Sequence, residues 1–337
     1  MAEKIYNKSY PEYLKEKFPA KVGFIKRIEE LIGIEDAKKF FEIAYTQTPN
    51  SIRCNTLKIT PEELKERFIA YGWKITEPFK EYPEIMIING TKPGEIGNSK
   101  EHLLGYFYVQ EISSMLPILI LQPEPGDFLL DLCASPGSKT TQAAALMQNT
   151  GTIIANEVSL SRIGILNSNL ERCGVTNTIV TRKEGTSLCN TFLKKTNIKF
   201  DKILVDAPCS GEGTVRKSPK TFLMWNPNMI KKIAGTQKQL ASEALKLLKV
   251  NGIMIYSTCT LAPEENEMII DFLIKNFDIE IQQITLPIKF RCGVCSWEGQ
   301  EFSSELKKCL RLYPQDNDTD GFFVTKIKKL SDKCLLK

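Results

Sequence analysis

Histidine is nearly absent from this chain, which has a single imidazole, His102, among 337 residues. A Ser-His-Asp triad and a histidine-based metal site cannot be assembled from one imidazole with no partner pattern nearby, so neither is predicted, and His102 is expected at the surface. The chain also has no run of eighteen apolar residues and no secretory leader pattern at its start. We therefore expect a cytoplasmic protein without membrane contact.

Two glycine-rich nucleotide motifs are missing as well. No G-x-G-x-x-G segment occurs, which argues against a dehydrogenase. Residues 137–140 superficially resemble a phosphate-binding loop, but Cys133 and Ser138 occupy the two positions where that motif has glycine. Kinase and dehydrogenase chemistry are accordingly excluded.

The composition is that of a folded globular protein, with 42% hydrophobic and 25% charged residues. The length exceeds what a single core usually holds, so two domains are expected. A net charge of +5 permits a polyanionic partner without requiring one. The ten cysteines of a cytoplasmic chain are expected to be reduced thiols rather than disulfides.

Hydrophobic spacing divides the chain into two regions and a tail. Residues 1–100 are predicted to form amphipathic helices followed by a small α+β module. Residues 101–330 alternate strands with helices, and residues 331–337 are a tail. Strands separated by helices predict an α/β fold with a doubly wound, mostly parallel sheet. The strands predicted in this sheet are 128–132, 153–156, 179–181, 203–205 and 253–257.

Acidic residues end four successive predicted strands, at Asp131, Glu157, Glu184 and Asp206. Ligands of an open α/β sheet bind at this edge, where a carboxylate can accept hydrogen bonds from ribose hydroxyls. The small residues of the turn at 133–138 let backbone approach a ligand closely. The pattern favours a cofactor with a ribose and an amine, and S-adenosylmethionine has both.

Two cysteines fifty residues apart, Cys209 and Cys259, each follow a predicted strand. A thiolate is the side chain best able to add to the electron-poor C6 of a pyrimidine, and a loop at the carboxyl end of a strand presents such a nucleophile. The residues by themselves leave either cysteine as the attacking group.

Several motifs in order resemble the Sun-domain family of S-adenosylmethionine-dependent RNA cytosine-5 methyltransferases, and the resemblance covers most of the chain. The matching parts are Arg53 and Asn55, residues 131–141, Glu157 with Arg162, residues 206–217, residues 257–267 and residues 320–323. The resemblance implies a Rossmann-like class I methyltransferase domain at 101–330, behind a smaller RNA-binding module.

The resemblance also implies a role for each catalytic residue. Cys259 is the nucleophile that adds to C6 of the cytosine, and Cys209 helps the C5 proton leave and the covalent bond break. Asp206 is expected to bond ring N3 and the exocyclic amine, with Lys139 near the target base. DNA cytosine-5 enzymes attack with the cysteine of a Pro-Cys motif, which makes Cys209 the competing nucleophile.

On the cofactor side, the resemblance places the methionine part of S-adenosylmethionine against the turn after the first strand. The resemblance implies that Glu157 binds the ribose, that Arg162 lies near the ribose, and that Asp206 makes a further contact with the cofactor. Glu184 stands where the family usually has an aspartate beside adenine. The turn residues expected to contact the cofactor are Cys133, Ala134, Ser135, Pro136, Gly137, Ser138 and Lys139.

The expected substrate is RNA, with the target cytosine flipped out or unpaired because stacking hides its face. Arg216, Lys217 and Lys220 follow the Cys209 loop and are predicted to hold its phosphates. A compact N-terminal module without a long basic extension favours tRNA over rRNA. Ribosomal RNA, DNA and a noncatalytic RNA-binding or assembly role are the alternatives. A monomer with no obligate protein partner is expected.

Cys292 and Cys295 have the spacing of half a zinc site, but no second ligand pair follows and the family pattern needs no metal. No metal site is predicted, and both thiols are expected to pack in a C-terminal strand pair. The cysteines interpreted as core or incidental residues are Cys54, Cys173, Cys189 and Cys334.

Overall fold

From residue 9 onward, the N-terminal part of the chain is built from six helices and a small antiparallel sheet. The computed structural model describes residues 9–335. Its first elements are α1 (Tyr10–Lys17), α2 (Val22–Ile32), α3 (Ile34–Ile43), β1 (Asn50–Cys54), α4 (Pro61–Ala70), β2 (Lys74–Thr76), β3 (Ile85–Asn89), α5 (Glu95–Asn98), α6 (Lys100–Leu103) and β4 (Phe107–Val109). The four strands pair in the order β2-β3-β1-β4. The last of them lies beyond residue 100, so this sheet uses residues on both sides of the predicted boundary.

Local sequence accounts for these helices. Phe24, Ile28 and Phe40 recur at helical spacing, and all three are fully buried in α2 and α3. Thr60 accepts a hydrogen bond from the backbone of Glu63, whose carboxylate bonds back to Thr60, so α4 begins with a capping box. His102 is half-buried, with its ring 5.5 Å from that of Phe107, so the prediction of a surface position was wrong.

The second part is an α/β domain around a nine-stranded sheet. Its elements are α7 (Ile112–Leu121), β5 (Phe128–Asp131), α8 (Ser138–Leu146), β6 (Thr152–Asn156), α9 (Leu160–Cys173), β7 (Thr178–Thr181), α10 (Gly185–Lys195), β8 (Phe200–Asp206), α11 (Lys220–Met224), α12 (Pro227–Leu247), β9 (Leu248–Thr258), α13 (Glu267–Asn276), β10 (Phe277–Gln282), β11 (Arg291–Cys292), β12 (Ser296–Trp297), β13 (Gln300–Glu301), β14 (Leu310–Leu312), α14 (Pro314–Asn317) and β15 (Phe322–Cys334). Short 3-10 turns cover Glu212–Thr214 and Ser304–Lys308.

The large sheet has the order β11-β14-β15-β9-β8-β5-β6-β7, with β10 paired to β15. β5 to β9 run parallel to one another, and β15 lies antiparallel against β9. The predicted doubly wound α/β fold is therefore confirmed. β15 continues through residues 331–334, within the predicted tail, although the side chain of Cys334 lies outside the described residues.

Both faces of the parallel strands are covered, which explains their continuous apolar sequences. Leu129 and Leu204 face α7 and α8 in one core cluster. Ile203 and Val205 face α10, α12 and α13 in the other. The winding reverses between β5 and β8, so the crevice at their carboxyl ends is the place where such sheets bind ligands.

Two helices beside this crevice were not predicted. α7 is apolar on all sides, and every residue from Met115 to Leu121 is buried, so the sequence shows no helical period there. α10 begins at a glycine and follows Glu184, whose carboxylate caps it. Within residues 9–335, no helix has the length and apolar character that crossing a membrane requires.

Candidate active site

The two cysteines singled out in the sequence meet at the carboxyl ends of β8 and β9. Their sulfur atoms lie 3.1 Å apart, and both side chains are half-buried. The hydrogen bond to Cys259, together with burial, raises the pKa of Cys209 well above its usual value. The raised pKa disfavours a thiolate on Cys209, and one S–H hydrogen bond joins the two sulfur atoms.

Buried polar contacts hold the two cysteine loops against each other. The hydroxyls of Ser210 and Thr260 lie 2.7 Å apart. Glu265 Oε2 accepts hydrogen bonds from the backbone N–H of Ser210 at 3.0 Å and from Gln237 Nε2 at 2.8 Å. Because these partners come from both loops and from α12, the two thiols are fixed relative to each other.

An ion pair lies beside the thiols. Lys139 Nζ, at the first turn of α8, is 2.6 Å from Asp206 Oδ2 and also donates to Ser114 Oγ at 3.0 Å. The other oxygen of Asp206 accepts a 2.7 Å hydrogen bond from Ser257. Lys139 sits near the positive end of the α8 dipole, and the Asp206 carboxylate offsets that unfavourable placement.

Asp131, at the end of β5, lies near this ion pair, whose two charges both act on its carboxyl. Its carboxyl is 1% exposed and accepts a 2.7 Å hydrogen bond from Thr140, while Oδ1 has no hydrogen-bond partner among the described residues. Burial raises the pKa of Asp131 to about 7. The geometry makes Asp131 a support for the turn after β5.

Two cavities adjoin at the thiols. The larger, about 390 Å³, is lined by Glu157 and reaches both cysteines; we call it the Glu157 cavity. The smaller, about 240 Å³, is lined by Lys139, and we call it the Lys139 cavity. The residues that line both are Cys133, Ser135, Asp206 and Cys259. A reactant held in each cavity would therefore meet its counterpart at Asp206 and Cys259.

The Glu157 cavity contains most of the residues expected to contact a cofactor. Glu157 is 3% exposed; its Oε2 is 3.2 Å from Arg162, and its Oε1 accepts a hydrogen bond from the backbone of Ser159. Arg162 also donates to the carbonyl of Ser135 at 2.6 Å. Arg162 thus fixes the carboxylate and the turn together. Glu184 lines the same cavity.

The turn after β5 is divided between the cavities. Cys133 and Ser135 line both, whereas Ala134, Pro136 and Ser138 line the Lys139 cavity. Gly137 lines neither; it precedes α8 with a φ of 102°, a backbone conformation that favours glycine. The turn residues that were all predicted to contact the cofactor therefore do not all line the same cavity.

The three predicted RNA-binding residues have different surroundings. Lys217 is exposed and lines the Lys139 cavity, whereas Lys220 is exposed at the start of α11 and lines neither cavity. The Arg216 side chain is 1% exposed and donates to Asp318 at 2.6 Å and to the carbonyl of Gln47 at 2.8 Å. The structure gives Arg216 a buried structural position in place of the predicted phosphate contact.

Sequence reasoning missed two features of the Lys139 cavity. Glu111 lines it from the start of α7, and Asp320, noted only as part of a motif, lines it from the turn before β15. The backbone N–H of Asp320 donates to Glu111 at 3.2 Å. A signal for Glu111 was its place immediately before a long apolar run, where a polar side chain caps a helix.

Two family models match this chain. One, described as 16S rRNA methyltransferase RsmB/F, matches residues 118–328, which is more than half of the chain. The chain belongs to the RsmB/F methyltransferase family. A second model, described as the N-terminal domain of 16S rRNA methyltransferase RsmF, matches residues 19–112. The predicted family resemblance and the prediction of an RNA-methylating enzyme are both confirmed.

The relatives of this chain differ in the RNA that their names give. A tRNA (cytosine(49)-C(5))-methyltransferase of Pyrococcus abyssi is 38% identical over 310 residues, covering 90% of this chain and 96% of that protein. The ribosomal RNA small subunit methyltransferase F of Vibrio campbellii is 39% identical over 313 residues, covering 92% of this chain and 63% of that protein. The chain thus spans less than two thirds of that ribosomal relative.

Solved structures agree with the fold. A methyltransferase homolog protein from Pyrococcus horikoshii, 34% identical, superimposes with a TM-score of 0.82 over 96% of this chain and 100% of that one. NSun6 from the same organism, 24% identical, has a TM-score of 0.80 over 92% of this chain and 98% of that one. Both N-terminal module and methyltransferase domain are therefore part of the shared architecture.

In this RsmB/F member, the C-terminal cysteines have unequal environments. Cys292 is exposed on β11, so the prediction that it packs was wrong, because its strand lies at the edge of the sheet. Cys295 is half-buried, with its sulfur 3.8 Å from the carbonyl of Ser303. Across residues 9–335 no group of three His, Cys, Asp or Glu side chains is arranged to hold a metal ion.

Proposed function

We propose that this protein transfers a methyl group from S-adenosylmethionine to C5 of a cytosine in RNA, through a covalent bond between Cys259 and C6 of the base. The observation that carries the proposal is the meeting of two thiols beside the Lys139–Asp206 ion pair, where two cavities adjoin. The name of the Pyrococcus abyssi relative supports cytosine C5 as the methylated position.

The proton on Cys209 supports the assignment of the nucleophile. Because the pKa of Cys209 is raised well above its usual value, Cys209 is the less available thiolate, and we assign the attack on C6 to the neighbouring sulfur of Cys259. Addition at C6 makes C5 electron-rich enough to take the methyl group. In the last step Cys209 gives its proton to the departing Cys259 sulfur and takes the proton from C5. The C5–H bonding electrons restore the C5–C6 double bond as the C6–Sγ bond breaks, so both thiols are regenerated.

Asp206 and Lys139 are proposed to hold the target base in the Lys139 cavity. Asp206 would accept a hydrogen bond from the exocyclic amine and lie beside ring N3, with its carboxylate already oriented by Ser257. The Lys139 ammonium would stabilise the negative charge that develops on the ring when the thiolate adds. Such a pocket needs an unpaired or flipped nucleotide, since a stacked base presents neither its face nor its edge.

The Glu157 cavity suits S-adenosylmethionine, whose chemistry when bound is donation of the methyl group. Its volume falls within the usual range for small-ligand sites. Glu157 would accept bonds from the ribose hydroxyls, Cys133 and Ser135 would lie along the methionine part, and Asp206 would face the amine. Glu184 would border adenine, although both of its oxygens already cap α10.

Replacing each cysteine tests the chemistry. Cys259→Ala should abolish transfer of radiolabelled methyl groups to bulk tRNA, because it removes the sulfur proposed to bond C6. Cys209→Ala should transfer poorly and accumulate a covalent protein–RNA adduct that survives denaturing electrophoresis. Cys292→Ala, which changes an exposed thiol on β11, is the matched control and should retain full activity.

Normal turnover by Cys259→Ala would refute the nucleophile assignment. An adduct formed by Cys259→Ala and absent from Cys209→Ala would point to Cys209 instead, as in DNA cytosine-5 enzymes. If the unaltered protein transfers no methyl group to any RNA, a noncatalytic RNA-binding role replaces the proposal. Parallel assays on DNA decide between the two nucleic acids.

We propose tRNA as the substrate, supported by the 38% identical Pyrococcus abyssi enzyme, with ribosomal RNA as the second candidate, supported by relatives such as that of Vibrio campbellii. Bisulfite sequencing of RNA from cells with and without this protein identifies the target. Loss of a tRNA 5-methylcytosine in the deletion strain is the expected result, and loss of one in ribosomal RNA would overturn it.

A further inference from the structure

Asp320 is a buried carboxyl without a hydrogen-bond partner in the Lys139 cavity. The residue is 4% exposed, and its Oδ1 receives no hydrogen bond from any of residues 9–335. Burial, and then the nearby charge of Glu111, raise the pKa of Asp320 above its usual range. A buried acceptor left unpaired costs free energy, so this carboxyl is poised to accept a donor from a bound molecule.

The position of Asp320 indicates which part of a nucleotide it meets. Lys139, Asp206 and Lys217 line the same cavity as Asp320, and the charge of Lys217 favours ionisation of Asp320. Under the proposed function the base edge binds at Asp206 and a phosphate at Lys217. The part of a nucleotide that joins base to phosphate is the ribose.

We propose that Asp320 accepts a hydrogen bond from the 2′-hydroxyl of the target ribose and thereby selects RNA over DNA. This inference rests on the proposed function and adds the residue that would distinguish ribose from deoxyribose in the target nucleotide. A carboxylate repels a phosphate, and the exocyclic amine of the base already has Asp206, so the hydroxyl is the remaining donor of the target nucleotide. The 2′-hydroxyl is the group by which a protein distinguishes RNA from DNA at a given position.

Glu111 is the positioning residue for this contact. Its Oε1 accepts the 3.2 Å hydrogen bond from the backbone of Asp320, and its Oε2 accepts a 2.8 Å bond from the backbone of Ser113 in α7. Glu111 thus ties the turn before β15 to the start of α7 and holds Asp320 in the lining of the cavity.

The test combines a protein variant with a single change in the RNA. The substrate is a synthetic RNA carrying the cytidine identified by bisulfite sequencing, compared with the same RNA containing 2′-deoxycytidine at that position only. With the unaltered protein, the deoxy substitution should lower kcat/KM about tenfold, as expected for a hydrogen bond to a charged group. For Asp320→Ala, kcat/KM on the all-ribose RNA should be about tenfold lower than for the unaltered protein. The 2′-deoxy substitution should then lower kcat/KM by less than about twofold.

Asp332→Asn, a change of an exposed aspartate on β15 outside both cavities, is the control and should keep the full deoxy penalty. If Asp320→Ala shows no cooperative thermal transition, Asp320→Asn, which keeps the side-chain volume, replaces it and should show a smaller deoxy penalty than the unaltered protein. The sugar assignment alone would be overturned if the 2′-deoxy substitution lowered kcat/KM as much in the Asp320 variant as in the unaltered protein. It would also be overturned if the substitution had no effect on the unaltered protein. No methyl transfer to the all-ribose RNA would overturn the proposed function together with it.

Discussion

The residues around the thiol pair show how burial sets protonation. Cys209 keeps its proton because a second sulfur and a desolvated environment both disfavour a thiolate there. Asp131 and Asp320 are buried carboxyls whose pKa is raised for a similar reason. Lys139 and Asp206 form an ion pair. The surroundings of each group therefore decide how readily it ionises.

Asp131 should make the stability of the folded protein depend on pH. Its pKa is about 7 in the folded state and near 4 in an unfolded chain, so the folded state binds more protons between these values. Stability should therefore fall as pH rises from about 4 to 7. Asp131→Asn should not show this loss. Between about pH 5 and pH 8, the unfolding free energy of the unaltered protein should therefore fall by roughly 2–3 kcal/mol more than that of Asp131→Asn.

Urea denaturation at the two pH values measures the difference. Glu124→Gln, at an exposed position before β5, is the control and should show the same pH profile as the unaltered protein. Parallel profiles for Asp131→Asn and the unaltered protein would contradict the prediction.

At the scale of elements, the loop after β8 is joined to the loop after β9 and to the turn before β15 by backbone contacts. The N–H of Gly213 donates to the carbonyl of Cys259 at 3.0 Å, and the N–H of Gly321 donates to that of Gly213 at 2.9 Å. A side chain on Gly213 would place its Cβ 2.2 Å from the carbonyl oxygen of Gly321. Glycine is needed there for close approach of two backbones.

Gly213→Ala should therefore push the loop after β8, which carries Cys209, away from the turn before β15. We expect a loss of about 2 kcal/mol or more in unfolding free energy and a large loss of methyl transfer, because a backbone clash cannot relax by rotation of a side chain. Gly235→Ala is the matched control: Gly235 is exposed in α12 with no atom near its added Cβ, so that change should stabilise by up to about 1 kcal/mol. Activity equal to that of Gly235→Ala would refute the prediction.

Elements also differ in how well the sequence reveals them. The capping box at Thr60 and the helical spacing of Phe24 and Ile28 are local signals, and the corresponding helices were predicted. α7 has no polar face because the sheet and other helices surround it, so its periodicity is lost. Glu184 was predicted beside adenine, yet in the chain it serves first as the cap of α10.

At the scale of the whole molecule, Arg53 joins the N-terminal module to the methyltransferase domain. This side chain is 2% exposed, and its guanidinium donates to Gln110, to the carbonyl of Ser138 and to Thr141 at 2.8–2.9 Å. The last two belong to the first turn of α8, which also carries Lys139. The position of the N-terminal module is thus coupled to the catalytic turn.

Arg53→Ala should weaken this connection by about 2–4 kcal/mol, because it leaves buried acceptors without donors. The expected result is a lower urea midpoint together with reduced methyl transfer. Arg67→Ala, at a half-exposed arginine of α4, is the control and should change stability by less than about 1 kcal/mol. Equal stability of the two variants would show that Arg53 does not hold the modules together.

The sequence by itself determined the fold class and the edge of the sheet that carries the chemistry. Hydrophobic periodicity is local, and the ends of apolar runs place Asp131, Asp206, Cys209 and Cys259 at one side of a parallel sheet whatever the details of packing. The tertiary structure decided what each side chain does there. Arg216 was predicted to meet phosphate, but partners more than a hundred residues away hold it in the interior. The protonation of Cys209 likewise depends on a sulfur fifty residues away, and only folding brings such groups within reach of each other.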